Sequence, residues 1–155
     1  MPGKIEWDDD LETGIQVIDQ QHKEFFRLVN VLLDTSIKGA DKESVLKAFK
    51  FLHFYIIEHF GMEESLMMEY KYLSLKEHRT GHRYFKDELR KLEAQLSGAH
   101  FPEVSMRLDY LVVNWFINHI KVQDKKLAKF LQEKAKNNRK IASKLAYLLK
   151  KLFGR

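Results

Sequence analysis

The sequence predicts an all-α fold: an up-down-up-down antiparallel four-helix bundle with an N-terminal arm and an extra basic amphipathic C-terminal helix. Three observations lead there. Apolar residues recur at three- and four-residue steps over four long segments and a fifth shorter one. The links between them are only a few residues long, which makes neighbouring helices antiparallel. Helix breakers are scarce, with 7 Gly and 2 Pro in 155 residues.

The first helix is expected from about Asp19 to Lys38, with Ile18, His22, Phe25, Phe26, Val29, Leu32 and Leu33 on one face and Gly39 as its stop. The second runs from about Asp41, a capping residue, to Tyr70. Its inner face carries Val45, Phe49, Leu52, Ile56, His59, Phe60, Glu63, Leu66 and Met67. The third starts near Ser74, where Ser74 and Glu77 have capping-box spacing. It passes through His78, His82, Phe85, Leu89, Leu92 and Leu96 to a Ser97-Gly98 stop. The fourth begins at Pro102 and continues through Leu108, Leu111, Val112, Trp115, Phe116, His119, Val122 and Leu127. Asn137 to Phe153 form the fifth. Before the first helix, Ile5, Trp7, Leu11 and Ile15 read as an arm packed across the bundle.

Composition narrows the function. With no cysteine there is no disulfide, thiolate zinc site, iron–sulfur cluster or cysteine nucleophile. The net charge of +5 suggests a polyanionic partner, but it is unevenly placed. Residues 134–155 carry eight Lys or Arg and no acid, and the other 133 residues hold 19 basic and 22 acidic groups. The expected division is therefore a mildly acidic bundle over 1–133 and a basic tail over 134–155. An acidic body would repel a phosphate backbone, so no nucleic-acid partner is expected. No apolar run approaches the roughly 20 residues of a membrane span. The N-terminus, with three consecutive acids, does not read as a signal peptide, so the cytoplasm is the expected location.

The bundle's inner faces carry groups that an apolar core does not want. His22, His59, Glu63, His78, His82, His119 and Asp124 all lie on or beside apolar stripes. His59 and Glu63, like His78 and His82, are four residues apart, hence about 40° apart around a helix. A single histidine on such a face is usually a satisfied core residue. Five imidazoles and two carboxylates on four helices lack hydrogen-bond partners among Leu, Ile and Phe, and a metal site satisfies them together. Seven ligands exceed tetrahedral zinc and suit two octahedral metals bridged by the carboxylates. Nitrogen-rich, thiolate-free ligation favours iron, with manganese or cobalt as alternatives. His119 and Asp124 are five residues apart, roughly 140° around a regular helix, which predicts a π-bulge or bend between them.

These residues stand in motifs. Trp7, Gly14-Ile15 and Ile18-Asp19-Gln20-Gln21-His22 resemble the start of the first helix in the hemerythrins. His59-Phe60-Gly61-Met62-Glu63-Glu64 resembles their HFxxEE motif, and His78 with His82 their third-helix pair. Trp115-Phe116-Ile117-Asn118-His119-Ile120-Lys121-Val122-Gln123-Asp124 resembles their fourth-helix motif. The resemblance covers about residues 5–131 and fills all seven ligand positions. It implies two iron ions joined by an oxo or hydroxo group (Fe–O–Fe or Fe–OH–Fe) and by Glu63 and Asp124. One iron would be held by His78, His82 and His119, the other by His22 and His59. Dioxygen would bind reversibly on the side with fewer ligands, in oxygen storage, delivery or sensing rather than catalysis. An alternative is a di-iron enzyme acting on nitric oxide, peroxide or ferrous iron. A metal-free helical adaptor would leave the seven polar core groups unexplained.

Helical turns place Phe26, Ile56, Phe60, Trp115 and Phe116 near the ligands, as candidates to line the oxygen pocket. The chain departs from the family pattern at Phe116, where leucine is frequent, at Leu127, where tyrosine is common, and at Tyr72-Leu73, where Tyr-Pro is common. None of these removes a ligand. His53 and His100 fit no ligand position; the first reads as interfacial, the second as a loop residue. Gly61 and Gly81 sit inside helices beside ligands, which suggests close helix approach. The tail, with Ile141, Leu145, Leu148, Leu149 and Leu152 on one stripe among lysines, has three readings. It folds back as a fifth helix, binds an acidic membrane surface through residues 137–155, or docks on a protein partner or second copy.

Overall fold

The computed structural model describes residues 4–37, 41–96 and 101–154. All regular structure among them is helical. We number the helices α1 (Gln16–Ile37), α2 (Lys42–Glu69), α3 (Leu75–Leu96), α4 (residues 101–135) and α5 (Arg139–Phe153). α1 packs on α2 and α4, and α3 packs on the other sides of the same two helices, which closes a four-membered ring.

The helix ends follow local chemistry. The Asp41 carboxylate accepts the Ser44 N–H at 2.8 Å and opens α2 as expected. α1 starts at Gln16, nearly a turn before the expected Asp19. There, the Asp19 carboxylate reaches back and accepts from the N–H groups of Thr13 (2.9 Å) and Gly14 (3.2 Å) and from the Thr13 hydroxyl (2.8 Å). The turn it holds needs Gly14, whose φ is +89°. The Ser74 hydroxyl accepts from Lys126 Nζ at 3.0 Å, so it ties α4 to the start of α3. α4 begins at Phe101, with Pro102 in its first turn where a missing N–H costs little. The expected stops at Gly39 and Ser97-Gly98 lie outside the described residues, as does His100.

α4 is continuous but not uniform. It winds as a π-helix over Ile120–Asp124, where the N–H of Lys125 donates to the carbonyl of Ile120. This is the irregularity that the His119–Asp124 spacing predicts. A second π turn, Val112–Phe116, had no such signal.

The arm is anchored on α1. Asn30 accepts the Ile5 N–H at 2.8 Å and donates to the Ile5 carbonyl at 2.7 Å, while Ile5, Leu11 and Ile15 are buried. α5 folds back on the bundle. Ile141 is fully buried, and Leu145, Leu148, Leu149 and Phe153 pack on a cluster of Ile15, Ile18, Leu66, Met67, Leu127 and Leu131. Its apolar stripe therefore faces protein. Asn138 caps its start, and Gly154, with φ +70°, ends it.

Among the described residues the apolar interior falls into two clusters. The larger contains Phe25, Phe49, Leu52, Ile56, Phe60, Phe85, Leu89 and Phe116, and the smaller lies beneath α5. On each of the four ring helices the inward polar residues fall between members of the two. His22 lies between Ile18 and Phe25, His59 and Glu63 between Ile56 and Leu66, and His119 and Asp124 between Phe116 and Leu127. A polar layer thus crosses the bundle.

The two glycines flagged inside helices differ. A methyl on Gly61 would meet nothing within 4 Å, whereas one on Gly81 would touch Trp115 at 3.4 Å and His119 at 3.5 Å. Close approach explains Gly81 and not Gly61. Gly61→Ala is expected to stabilise the fold by about 1 kcal/mol through helix propensity. Gly14→Ala is expected to destabilise it, since the new Cβ would stand 2.5 Å from Gln132 Nε2 on a left-handed backbone. Urea unfolding of both variants checks the opposite signs.

Candidate metal centre

The seven polar residues meet in the middle of the ring. His22, His59, Glu63, His78, His82, His119 and Asp124 are each 4% exposed or less. Their relative placement is close. Glu63, His78, His82, His119 and Asp124 each offer a ligand atom within 4.8 Å of one another, and so do His22, His59, Glu63 and Asp124. The two carboxylates belong to both groups, with three imidazoles on one side and two on the other.

All five Nε2 atoms and all four carboxylate oxygens are buried without a hydrogen-bond partner. Such atoms cost one to several kcal/mol each when left alone, so an interior that gathers nine of them at one point needs a common partner. The spacings identify its nature. Asp124 Oδ2 lies 3.0 Å from His22 Nε2, and its Oδ1 lies 3.0 Å from His78 Nε2 and 3.3 Å from His119 Nε2. Glu63 Oε1 lies 3.2 Å from His82 Nε2, 3.6 Å from His59 Nε2 and 3.7 Å from His78 Nε2. Two ligands bonded at about 2.1 Å to one cation, at right angles, stand about 3.0 Å apart. The nitrogen–oxygen pairs of this layer fall at or slightly above that distance. The donor set of imidazole and carboxylate, without thiolate, fits iron.

The electrostatics of the layer agree. Burial pushes His59 down to about 3, so it stays neutral. Burial acts the same way on His78, but the Asp124 and Glu63 carboxylates outweigh it and hold the imidazole up, at about 10. Burial would raise both carboxyls; the surrounding histidines overcome it, and Glu63 and Asp124 lie below the usual carboxylate range. The acids are therefore ionised and ready to bind a cation, while a metal entering on the His78 side displaces a proton.

The outer ring nitrogens are held from behind. His59 Nδ1–H donates to Gln21 Oε1 at 2.6 Å and His82 Nδ1–H donates to Glu64 Oε2 at 2.9 Å, which turns both Nε2 lone pairs inward. Arg79 Nε stands 3.3 Å from Glu64 and steadies it. Gln21 and Glu64 gained no role from the sequence, although each adjoins a ligand. A neighbour of an inward residue lies about 100° round the helix and faces the next helix, where the back of a histidine waits.

The aromatic residues divide between the two sides. Phe116 meets His22 edge-on at 5.7 Å and stacks on Phe25 at 4.6 Å. Phe26 packs 6.2 Å from Phe116, and Ile56 is fully buried in the same cluster. Phe60 stacks on His82 at 3.8 Å and also reaches His59 at 5.8 Å. Trp115 stacks on His119 at 4.6 Å, in the three-imidazole group. Phe25 and Phe85 complete this aromatic layer, and the sequence pattern marks them only as core. His53 stands apart from the layer and pairs with Glu93 at 3.1 Å.

Gln21→Leu is expected to leave the fold intact and weaken metal binding by about 10- to 100-fold, by freeing the His59 ring. Competition against a chelator of known affinity measures the change.

Comparison with known proteins agrees with this geometry. The family model described as the hemerythrin HHE cation binding domain matches residues 13–131. A bacteriohemerythrin of Pseudomonas paraeruginosa is 32% identical over 118 residues, covering 76% of this chain and 75% of that protein. One from Stenotrophomonas maltophilia is 31% identical over 124 residues, covering 79% and 78%. A myohemerythrin of Sipunculus nudus is also 31% identical over 124 residues, covering 80% and 91%. The ligand layer and the extent of these matches lead to one conclusion: this chain belongs to the hemerythrin family.

Proposed function

We propose that this protein binds dioxygen reversibly at a non-haem di-iron centre, in oxygen storage, delivery or sensing. His78, His82 and His119 would hold one iron, His22 and His59 the other, and Glu63 and Asp124, shared by both groups, would serve the two. The unit that does this is residues 1–133, an up-and-down bundle whose short connections support that order, with residues 134–155 appended. The observation that carries the reading is the unequal split of five imidazoles around two shared carboxylates. An equal split would give both metals the same protein ligands; three against two gives the His22–His59 side one fewer.

Bound as a ferrous pair, the irons would supply the two electrons that dioxygen binding draws on. The chain's own contribution is shelter and orientation. Phe116 meets the His22 ring, and Phe25, Phe26 and Ile56 belong to the same apolar cluster, which in this reading keeps water from that side. Outside protons are excluded with the water, and that exclusion favours release of intact dioxygen over its reduction. Gln21 fixes the His59 ring. Phe116 is bulkier than the leucine frequent in the family, and supports a tight pocket with slow oxygen entry. The histidine-rich ligand set favours binding over the oxygen activation that carboxylate-rich sites suit.

The test is an absorption spectrum of the iron-loaded protein after anaerobic reduction, then air, then removal of oxygen. A visible charge-transfer band that appears with air and disappears on deoxygenation is expected. Rapid irreversible oxidation, with turnover of nitric oxide, peroxide or ferrous iron, would instead support the enzyme.

A further inference from the structure

The charge that the sequence concentrates in its tail becomes a surface in the fold. α5 spends its apolar stripe on the bundle, so that stripe is not free to enter a membrane. The opposite side of the helix is different. Arg139, Lys140, Ser143, Lys150 and Lys151 are exposed there, and residues 134–155 contain no acid. Lys140, Ser143, Tyr147, Lys150 and Lys151 follow one another along a single stripe. Among the cations stands one exposed apolar group, Tyr147 (58%). Lys151 lies over the Tyr147 ring at 5.9 Å.

The neighbourhood extends this character. Lys144 reaches Glu69 at 3.7 Å, which sets α5 beside the last turn of α2. Four residues on, in the turn between α2 and α3, Leu73 is 97% exposed. Lys71 precedes it in the same turn with φ +58°, and Lys126 is bonded to Ser74 just after it. A leucine held clear of the protein between lysines is costly in water and favourable at a lipid headgroup boundary.

We propose that the outer face of α5, together with the Leu73 turn, docks the folded protein on an anionic lipid surface. The lysines supply attraction to the headgroups, and Tyr147 and Leu73 supply shallow apolar contact. The docking is peripheral: no helix among the described residues is long and apolar enough to cross a membrane. An acidic protein would complement the charges but gives no reason for the isolated exposed Leu73. The inference is independent of iron.

Vesicle sedimentation of the full chain tests it. Binding is expected to vesicles of equal phosphatidylglycerol and phosphatidylcholine at low salt, and not to phosphatidylcholine alone. It should vanish near about 1 M salt, where screening is nearly complete. Each cation at an anionic leaflet strengthens binding about fivefold, so the double variant Lys140→Glu, Lys150→Glu should lose at least tenfold. A charge-matched control, Lys47→Glu with Lys50→Glu on α2, should lose much less, and circular dichroism should show both variants folded. Leu73→Ser should weaken binding without changing its salt dependence. Equal losses in the two double variants, no binding to anionic vesicles, or tighter binding to duplex DNA than to vesicles would overturn the proposal.

Discussion

Nine buried polar atoms without partners, drawn together across four helices, are what the rest of this structure answers to. An all-apolar bundle of this length needs no such layer. Here it separates two hydrophobic clusters that stabilise the helices on either side, and those clusters accept the strain of bringing like charges close. Glu63 and Asp124 stay ionised next to each other only because imidazoles surround them, and the arrangement becomes favourable as a whole once cations enter. In the proposed reading, metal binding and completion of the fold would be linked in this chain.

The irregular course of α4 serves the same requirement. His119 and Asp124 could not both face the interior from a regular helix, and the π turn between them supplies the missing rotation. The earlier π turn over Val112–Phe116 itself carries Trp115 and Phe116, which part there, one stacking on His119 and the other meeting His22. Gly81 leaves room for that tryptophan. Backbone departures therefore cluster where the site needs side chains aimed in two directions.

Much of this was legible in the residues. The four-residue spacings placed His59 with Glu63 and His78 with His82 on shared faces, and the five-residue spacing announced the bulge. What escaped has physical reasons. Gln21 and Glu64 work at right angles to the ligand face, so no periodicity singles them out. The early start of α1 goes with Asp19 bonding backward to Thr13 and Gly14, a local contact that hydrophobic periodicity does not reveal. The tail's amphipathic stripe predicted a helix but not which surface it would cover, since protein core and lipid reward the same pattern. The bundle end that α5 covers decided it. The net charge of +5, which describes no part of the polar layer, then traces to residues 134–155, four of whose cations, Arg139, Lys140, Lys150 and Lys151, stand on the outer face of that helix.

The central claim is that the polar layer holds two metal ions. Anomalous scattering at the iron absorption edge, from crystals of the iron-loaded chain, tests it most directly. The account predicts two peaks inside the bundle, one among His78, His82 and His119 and one between His22 and His59, with Glu63 and Asp124 touching both. A single peak, or none within the ring of helices, would contradict it.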